Sequence, residues 1–321
     1  MIAGAEPMDV SVIVCTYNRA PSLELTLRAL GAQATPPDLR WDLLVVDNNS
    51  ADATRALVEG FAATAAIRVR YLFEARQGLS HARNAGVTGS TGAILAFTDD
   101  DVGPEPDWVA GVSRLMGELG VDILGGRILP RWEHPPPPWL AARPHLRGPF
   151  TIMDHPRPGA VLEARGVPNV WGANMAFRRE VFTRVGLFDP GLGVTGRKLY
   201  RGEEVALVRR ALAAGYRAAY DPRLVVWHRI PAARMRRRFV SRLYFDQAEG
   251  DGLNEEAPAG RRLLGAPLYL YRQIAGRVSG SLWAAARGRS DALDRWLASC
   301  ELAGTLWGQW KRYFRGGRGR G

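Results

Sequence analysis

Three consecutive carboxylates, Asp99-Asp100-Asp101, directly follow a short apolar run, Ala93-Ile94-Leu95-Ala96-Phe97, and a single threonine. The run has the length and composition of a buried strand, which places the three acids where that strand leaves its sheet. Like charges this close raise one another's pKa unless a cation neutralises them. Mg²⁺ and Mn²⁺ take oxygen ligands, often one or two carboxylates together with substrate phosphates. We therefore predict a site for a divalent metal ion and a diphosphate.

Two further predicted strands also end in short polar residues. One is followed by Thr16-Tyr17-Asn18 and the other by Asp47-Asn48-Asn49. In an open α/β sheet, ligands bind outside the carboxyl ends of the strands, so we expect the three polar ends to converge. A nucleotide needs an aromatic or apolar wall for its base and acceptors for its ribose hydroxyls. Tyr17 could stack on the base and Asp47 could accept the hydroxyls, although turn and helix-cap formation explains Asp47 and Asn49 equally well.

Strands alternate with helices over the first two thirds of the chain. This alternation predicts βαβ crossovers and a mainly parallel sheet flanked by helices. The predicted strands are 10–15, 41–46, 67–73, 93–98, 121–124 and 224–228, and the predicted helices are 21–30, 53–61, 78–87, 106–119 and 203–214. The segment 130–167 is predicted to be a long irregular excursion over the surface; such loops are functional or disordered. No Gly-rich dinucleotide fingerprint and no GKS or GKT loop is present, so Rossmann cofactors and P-loop chemistry are not expected.

Composition and cysteine content are those of a globular protein. The 321 residues, 46% apolar and 23% charged, suffice for one large domain or two ordinary ones. Cys15 and Cys300 make neither a disulfide framework nor a metal cluster, which fits a reducing compartment. No basic segment followed by an apolar one opens the chain, so we expect no secretory signal and a cytoplasmic location.

The net charge of +11 is concentrated near the end of the chain. Residues 1–226 carry 25 basic and 24 acidic side chains, whereas residues 227–321 carry 18 basic and 8 acidic ones. A basic terminal region indicates an anionic partner such as phospholipid, lipid phosphate or nucleic acid. A solvated arginine-rich face explains the same charge equally well.

The basic region is predicted to form helices at 234–248, 263–286 and 291–314, followed by a disordered Arg/Gly tail at 316–321. None of these helices is apolar enough to span a membrane, since charged residues interrupt each one. Arg234, Arg236, Arg237 and Arg238, together with Phe239 and Tyr244, could hold an anionic membrane surface or a lipid phosphate. We therefore consider a peripheral position on the inner face of the cell membrane.

Six strings in order connect the chain to a known family. They are SVIVCTYNR, LLVVDNNSAD, GLSHARNAG, ILAFTDDD, WGANMAFRREVFTRVGLFD and RGEEVAL. This order resembles glycosyltransferase family 2, whose members have the GT-A fold and are inverting, nucleotide-sugar-dependent transferases. The resemblance covers residues 8–230. It implies an α/β GT-A domain at 8–230, with a basic helical C-terminal region at 231–315.

The resemblance also implies roles for individual residues. Asp99 and Asp101 match the two carboxylates of the family's DxD motif, with Asp101 nearest the metal, and His228 matches a position that completes metal coordination in some related enzymes. Nucleotide contacts are implied for Thr16, Tyr17, Asn18, Arg19, Asp47, Asn49, Arg83, Asp99 and Asp100. A wall around the donor sugar and acceptor is implied for Trp171, Gly172, Ala173 and Asn174. For Arg83 and His228, an ordinary surface ion pair and a structural histidine remain the alternatives.

The pair Glu203-Glu204 matches the family segment that supplies the general base. The resemblance assigns the base to Glu204, although this chain has Glu where the family often has Asp, and Glu203 is the second choice. A single displacement needs a base opposite the leaving diphosphate to take the proton of the acceptor. An acid pair favoured by the dipole of a helix N-terminus explains either glutamate alone.

We therefore expect an inverting glycosyltransferase that uses Mg²⁺ or Mn²⁺ and a nucleotide-diphosphate sugar, with UDP-sugar first. The expected acceptor is a glycan or lipid-linked molecule in polysaccharide, glycolipid or cell-envelope glycan synthesis. An inactive GT-A-fold scaffold and a basic nucleic-acid- or anion-binding protein are the alternatives. Nucleic-acid binding is disfavoured because it leaves the three acidic and polar strand ends unexplained.

Overall fold

The computed structural model describes residues 8–155, 160–161, 170–195, 198–254 and 260–316. The chain divides into two compact units. The first unit runs up to Pro190 and continues with Gly202–Pro231, and the second combines Gly191–Arg201 with the chain from Ala232 onward. The predicted division after residue 230 did not assign the segment Gly191–Arg201 to the C-terminal region.

Nine strands and seven α-helices are described in the first unit, together with one 3₁₀ helix, Pro144–Phe150. The strands are β1 (Val10–Thr16), β2 (Trp41–Asp47), β3 (Arg68–Phe73), β4 (Ile94–Asp99), β5 (Val102–Pro104), β6 (Ile123–Trp132), β7 (Ala160–Val161), β8 (Met175–Arg178) and β9 (Ala218–Ile230). The helices are α1 (Ala20–Gly31), α2 (Thr54–Thr64), α3 (Leu79–Gly89), α4 (Trp108–Leu119), α5 (Pro138–Ala141), α6 (Arg179–Val185) and α7 (Glu203–Ala213).

One mixed sheet organises these elements in the order β3-β2-β1-β4-β8-β6-β9-β5, with β7 paired to β9. The pairs β3-β2, β2-β1, β1-β4 and β6-β9 are parallel, as the alternation of strands and helices predicted. Strand β8 runs antiparallel between β4 and β6. It overlaps residues 170–177, where the sequence shows renewed periodicity but does not indicate the type of element. Its four residues are too short for a pattern with a period of two to identify.

Alternating side chains of the central strands build a hydrophobic core on each face of the sheet. Val12 and Val14 of β1 pack on one face with helices α1 and α4, while Ile13 packs on the other face with α3. Successive side chains of a strand point to opposite faces, so a strand buried on both sides is apolar without interruption. This explains why the sequence of β1 reads as one continuous apolar run.

The strand register aligns the polar ends of the sheet. Thr16 at the end of β1 is paired with Asp47 at the end of β2, and Cys15 is paired with Asp99 at the end of β4. The edge strand β5 pairs with β9, which places Val102 opposite His228. Four distant parts of the sequence are therefore aligned by the sheet, at the ends of β1, β2 and β4 and at His228 of β9.

The segment predicted as irregular is partly ordered. Strand β6 continues to Trp132, and α5 and the 3₁₀ helix follow, with Leu140, Leu146 and Phe150 buried beneath them. The chain returns to the sheet through a bridge between Ile128 and Met153. Residues 156–159 and 162–169 of this segment lie outside the described residues.

The second unit contains α8 (Arg237–Asn254), the short hairpin β10 (Arg262–Leu263) and β11 (Ala266–Pro267), α9 (Leu268–Ala286) and α10 (Ala292–Gly316). Helices α8 and α10 approach closely at glycines: a Cβ added at Gly252 would lie 2.4 Å from the backbone of Thr305. The three helices were predicted, whereas the hairpin was not. Of the predicted tail 316–321, residue 316 closes α10 and the remainder lies outside the described residues. None of the helices in the described ranges combines the length and apolarity that crossing a membrane requires.

Candidate active site

The ends of β1 and β4 are joined by side-chain hydrogen bonds. Thr16 donates from Oγ1 to Oδ2 of Asp100 across 2.8 Å. Arg19, one turn later, donates from Nη1 to both Asp100 (3.0 Å) and Asp101 (3.1 Å). Thr26 of α1 donates to the backbone oxygens of Asp100 and Val102, which fixes the turn after β4. The predicted convergence of the first and fourth strand ends is therefore present in the structure.

Hydrogen bonds join the loop after β1 to the loop after β2. Asn18 and Asn49 both have positive φ angles, 52° and 67°, a conformation that asparagine tolerates better than most residues. The side chain of Asn18 accepts a hydrogen bond from the backbone of Ala51, and its own backbone N–H donates to Ser50. Tyr17, between β1 and Asn18, keeps 38% of its surface exposed and is available as an aromatic wall.

Asp47 is buried at the end of β2 and engaged in local contacts. Its Oδ1 accepts the backbone N–H of Ser50 (2.9 Å), and its Oδ2 accepts the hydroxyl of Tyr71 (2.8 Å). Burial and the neighbouring Asp47 carboxylate raise the pKa of Tyr71 to about 12, so Tyr71 stays a donor. The turn-forming role considered for Asp47 is thus present, and each of its oxygens keeps a further lone pair for a ligand.

Asn48 is one of the polar strand-end residues, and its side chain has a structural role. Its amide nitrogen donates to the carbonyls of Glu74 and Arg76, and its amide oxygen accepts from Gln77 and the backbone of Gly78. Gly78 immediately precedes α3 and has a φ of 143°, which favours glycine. Asn48 therefore ties the end of β2 to the start of the helix that carries Arg83.

The three acids after β4 differ in their surroundings. The side chain of Asp99 is 36% exposed, whereas Asp100 and Asp101 are buried. Burial and the neighbouring Asp101 raise the pKa of Asp99, against the lowering effect of Arg83. Burial likewise raises the pKa of Asp100 to about 6, although Arg19 opposes this. The concentration of negative charge that the sequence predicted is therefore only partly neutralised by the protein itself.

His228 reaches this acidic turn from strand β9. Its Nδ1 lies 2.8 Å from the carbonyl oxygen of Phe150, which can only accept, so Nδ1 carries the proton. The other ring nitrogen, Nε2, faces Oδ1 of Asp101 at 3.5 Å. In the neutral ring Nε2 is an acceptor, so two acceptors face each other, and a cation between them would satisfy both.

Side-chain chemistry at this turn fits a hard divalent cation. Across the described ranges, no three or more His, Cys, Asp and Glu side chains are already gathered around one point as a metal site. Asp101, His228 and the partly exposed Asp99 still supply carboxylate and imidazole donors from one side. Mg²⁺ commonly completes its shell with water and substrate phosphate, so an incomplete protein shell is expected for it. The donor set suits Mg²⁺ or Mn²⁺.

Arg83 of α3 connects the acidic turn to the start of α7. Its Nη1 donates to Oε1 of Glu203 across 2.6 Å, and its Nη2 lies 3.7 Å from Oδ1 of Asp99. The guanidinium is buried and stands over the ring of Phe188, 5.6 Å from the ring centre. A Cβ added at Gly172 would lie 2.0 Å from Nη2, so the absence of a side chain at 172 makes room for Arg83.

Glu204 follows Glu203 at the start of α7 and stands next to this ion pair. Burial raises its pKa to about 8, and the neighbouring Glu203 carboxylate adds to the effect, against the lowering influence of Arg83. Among the described residues, Oε2 of Glu204 is buried and has no hydrogen-bond partner. Oε2 of Glu203 is likewise without a hydrogen-bond partner, but its Oε1 is paired with Arg83, whereas the raised pKa of Glu204 keeps it protonated near neutral pH.

The segment Trp171–Asn174 forms a tight turn before β8, in which the N–H of Asn174 bonds to the carbonyl of Trp171. Trp171 is half-buried, and Gly172 contacts Arg83. Ala173 is buried, and its carbonyl accepts the hydroxyl of Thr98. These contacts hold the turn at the carboxyl end of β4.

Asn174 has a structural position rather than the predicted position facing a sugar. It is fully buried, its Oδ1 accepts the indole N–H of Trp108, and its Nδ2 donates to the carbonyls of Arg127 and Leu224. Because both amide hydrogens are used inside the core, the side chain cannot donate to a substrate without breaking these bonds. This position cannot be predicted from the residues next to Asn174, since the three partners lie in other parts of the chain.

The structure thus brings together Thr16, Arg19, Arg83, the three acids, His228 and the Glu203-Glu204 pair through a chain of direct contacts. Sequence reasoning missed Phe188 beneath Arg83 and Asn84, whose amide both donates to and accepts from the backbone of Phe188. The adjacency of Asn84 to Arg83 was the one available signal. These residues therefore meet at the carboxyl edge of an α/β sheet.

Comparison with known proteins identifies the class as that of the glycosyltransferases. The family model described as Glycosyl transferase family 2 matches residues 11–186. The chain belongs to this family. Glycosyltransferase AglE of Haloferax volcanii is 34% identical over 221 residues, which cover 68% of this chain and 66% of that protein. The chain therefore spans slightly less than two thirds of the length of that relative.

Two further similarities cover more of the chain. Succinoglycan biosynthesis protein ExoM of Rhizobium meliloti is 27% identical over 282 residues, which cover 86% of this chain and 83% of that protein. The solved structure of the mannosyltransferase PcManGT from Pyrobaculum calidifontis, in complex with GDP-Man and Mn²⁺, covers 97% of this chain and 88% of that chain with a TM-score of 0.60. At 22% identity the structural match shows the fold, and the predicted GT-A fold is confirmed.

Proposed function

We propose that this protein transfers a sugar from a nucleotide-diphosphate sugar to an acceptor hydroxyl with inversion at the anomeric carbon. The observation that carries the proposal is the unbroken chain of contacts from the acidic turn to Glu204. Asp99 contacts Arg83, Arg83 is paired with Glu203, and Glu203 adjoins Glu204. A single displacement needs groups that bind the leaving diphosphate and a base that accepts the proton of the acceptor. The acidic turn with Arg83 would supply the first, and Glu204 the second.

Glu204 is the proposed base. Because its pKa is raised to about 8, the ionised carboxylate of Glu204 is a stronger base than an ordinary glutamate. It can therefore take a proton from an attacking hydroxyl at a pH near 8. Glu203 is held by Arg83 and is the positioning residue, because its carboxylate raises the pKa of Glu204. The acceptor oxygen would attack the anomeric carbon on the face opposite the leaving diphosphate, as a single displacement with inversion requires.

Arg83 and the acidic turn are proposed to receive the diphosphate. The buried guanidinium of Arg83 offers N–H donors that suit phosphate oxygens. When the diphosphate binds, this guanidinium would donate both to Glu203 and to the ligand. Asp99, Asp101 and His228 would hold Mg²⁺ or Mn²⁺, which neutralises charge on the leaving diphosphate when bound. The mannosyltransferase with GDP-Man and Mn²⁺ supports metal use by this fold.

The loops after β1 and β2 are proposed to hold the nucleoside. Tyr17 supplies an exposed ring for the base, and Asp47 supplies acceptor lone pairs at the floor of the loop. UDP-sugar is the first choice of donor. A glycan or lipid-linked acceptor in polysaccharide or cell-envelope glycan synthesis is proposed, which the similarity to the succinoglycan biosynthesis protein supports.

A panel of nucleotide sugars tests the proposal. The full chain is incubated with UDP-, GDP- and dTDP-sugars in the presence of Mn²⁺ or Mg²⁺, and thermal midpoint and donor hydrolysis are measured. We expect one donor class to raise the midpoint in a metal-dependent way and to be hydrolysed with inversion, as shown by NMR of the released sugar. If no donor is bound or cleaved with either metal, or if the configuration is retained, the proposal is wrong.

Peripheral membrane binding is proposed for the second unit, with a different surface from the one first considered. Phe239 and Tyr244 are half-buried, whereas the exposed large apolar side chains lie on α9, α10 and the hairpin before them. At the end of α9, Leu282 is 61% exposed and Trp283 is 51% exposed, with the guanidinium of Arg287 over the indole ring at 4.8 Å. Tryptophan and arginine side by side suit the interface of an anionic bilayer.

Liposome co-sedimentation tests this surface. The full chain should bind vesicles containing 30% phosphatidylglycerol (about 1 kcal/mol per basic residue near the surface) and should be released by high salt. Replacing both Leu282 and Trp283 by Ser should abolish sedimentation, whereas Phe73→Ser, an equally exposed aromatic in the first unit, should not. Equal sedimentation with neutral vesicles, or unchanged binding of the double variant, would reject the membrane surface.

A further inference from the structure

A cavity beside His228 has no role in the mechanism derived above. It has a volume of about 290 Å³ and lies entirely in the first unit, between the end of β6, α5 and the 3₁₀ helix. Its side walls include Trp132, Leu146 and Phe150, and its polar lining consists of Arg143, Arg147 and Asp154. Its volume is at the lower end of the range for small-molecule sites, which suits one sugar ring better than a nucleotide.

The cavity is connected to the reaction centre through one residue. Phe150 forms part of the lining, and its carbonyl oxygen accepts the proton of His228 Nδ1 at 2.8 Å. His228 in turn faces Asp101. Phe150 and His228 therefore lie one after the other between the cavity and the acidic turn. The cavity thus adjoins residues that contact the proposed metal ligands.

The aromatic lining is arranged for the apolar face of a sugar ring. Trp132 is half-buried, and its ring packs against that of Phe150 with centres 5.7 Å apart at an angle of 67°. Phe150 and Leu146, which also line the cavity, are almost fully buried and therefore fixed in position. Aromatic side chains with a few well-placed polar groups are the usual lining of a small-molecule site.

The polar lining is cationic. Asp154 is neutralised by Arg127, whose guanidinium nitrogen lies 2.6 Å from its carboxylate. Arg143 is oriented by a hydrogen bond from Nη1 to the carbonyl of Trp139, and Arg147 is exposed. Arg143 and Arg147 therefore both line the cavity, together with one carboxylate that is already paired. Guanidinium groups bind carboxylate and phosphate in preference to neutral hydroxyls.

We propose that this cavity is an acceptor subsite that takes a pyranose ring carrying a carboxylate or a phosphate. The inference rests on the proposed transferase function and adds the chemical class of the acceptor. The ring packs on Trp132, and the anionic group pairs with Arg143 and Arg147. A uronic acid and a sugar phosphate share this chemistry and are separated by the choice of probe below.

Direct binding measurements test the subsite without relying on activity. Saturation-transfer NMR is recorded on the full chain with methyl β-glucoside, methyl β-glucuronide and glucose 1-phosphate. We expect at least one anionic probe to bind at least fivefold more tightly than the neutral glucoside, and the tighter of the two identifies carboxylate or phosphate. Equal affinity for all three probes, or no binding of any, overturns the proposal.

Substitutions locate the binding. Trp132→Ala should remove binding of the anionic probe, and Arg147→Ala should remove at least fivefold of its preference over the neutral glucoside. Arg147 is exposed, so its variant remains informative if Trp132→Ala does not fold. Trp283→Ala, at an exposed tryptophan of the second unit, is the matched control and should bind as the wild type does. Unchanged binding by Arg147→Ala overturns the proposal.

Kinetics separate this inference from the function on which it rests. If the protein transfers sugar and Arg147→Ala leaves the acceptor KM unchanged, the subsite is wrong and the transferase function stands. If the anionic probes bind at Trp132 and no donor is ever cleaved, the cavity is a binding site for an anionic sugar, but the transferase function and the acceptor role are wrong. For both to hold, Arg147→Ala must raise the acceptor KM at least fivefold with donor hydrolysis in water unchanged.

Discussion

Arg83 and Glu203 are 120 positions apart in the chain, yet their side chains meet in a buried ion pair of 2.6 Å. Both residues are almost inaccessible to solvent, with side-chain exposures of 4% and 5%. Breaking a buried pair by removing one partner leaves an uncompensated charge and is strongly destabilising. The pair therefore fixes the start of α7 against α3, and with it the position of Glu204.

Glu204→Gln should abolish transfer and raise the thermal midpoint at alkaline pH. The folded pKa of Glu204, about 8, lies above the ordinary value of 4.5, so ionisation opposes folding. The contribution of Glu204 to the free energy of unfolding is fully present below pH 4.5 and is lost as the pH rises through about 8. Scanning fluorimetry from pH 5 to 9 should show that the thermal midpoint of the variant rises relative to that of the wild type as the pH increases.

Glu203→Gln provides the contrast for this variant, because it removes the partner of buried Arg83 and should lower the midpoint at every pH. A Glu204→Gln protein that is less stable than the wild type at pH 9 would contradict the assigned environment of Glu204. Full transfer activity in the same purified variant would remove it from the base role.

The rate of transfer should depend on pH through Glu204. With metal and donor saturating, kcat should rise roughly tenfold per pH unit below about 8 and level off above it, because the proposed base must be ionised. Steady-state assays from pH 6 to 9.5 measure this. A rate that is flat across this range, with chemistry shown to be rate-limiting by single-turnover kinetics, would exclude a base with the pKa of Glu204.

Gly172→Ala should displace Arg83. The new Cβ would lie 2.0 Å from Nη2, which no ordinary contact allows, so the guanidinium must move away from Glu203 and Asp99. We expect transfer to fall by about 100-fold, as a misplacement near 1 Å causes, with a weaker affinity for the nucleotide diphosphate. Gly60→Ala on α2, where nothing lies within 4 Å of the added Cβ, is the control and should leave activity and stability unchanged or slightly improved. Wild-type kinetics in Gly172→Ala would show that the position of Arg83 is not critical.

Asp101→Asn should remove the metal dependence of nucleotide binding. In the wild type, Mn²⁺ should increase the rise in thermal midpoint that UDP produces, and EDTA should abolish both this increase and transfer. The variant should respond to UDP equally with and without Mn²⁺, because Asp101 is the proposed ligand opposite His228. Asp107→Asn, at an exposed aspartate before α4, should behave as the wild type does. A Mn²⁺ effect that survives in Asp101→Asn would place the metal elsewhere.

Glu249→Gln should loosen the second unit. The chain has only two lysines, and Lys198 and Lys311 both place their ammonium groups 2.5 Å from the fully buried carboxylate of Glu249. Removing the carboxylate charge should cost about 3 kcal/mol, the lower end for a broken buried pair, because about a third of each lysine is exposed. Hydrogen exchange of α8 and α10 amides should accelerate accordingly.

The control for Glu249→Gln is Glu59→Gln, which breaks an exposed pair with Arg55 on α2. It should change the free energy of opening measured by hydrogen exchange by less than about 0.5 kcal/mol, because exposed ion pairs contribute little to stability. If the two variants show equal exchange in α8 and α10, the buried cluster at Glu249 does not stabilise the unit.

Local patterns were sufficient for the elements that carry the acidic turn. Strands β1, β2 and β4 were predicted within one residue of their observed ends, because each is a continuous apolar run followed by a polar turn. Helix α7 was predicted to start at Glu203, where it does start. In contrast, β9 was predicted with five residues and has thirteen, since Asp221, Pro222 and Arg223 interrupt the apolar pattern that defined the prediction.

The sequence by itself determined the α/β architecture, the family and the identity of the polar strand ends, because hydrophobic periodicity and motif order are properties of neighbouring residues. Only the tertiary structure decided which of those residues share contacts. It paired Arg83 with Glu203, turned Asn174 into the core and brought Phe150 to His228. Each of these contacts joins elements that are distant in sequence, and their charge, burial and hydrogen bonding exist only once the sheet has set the strand register.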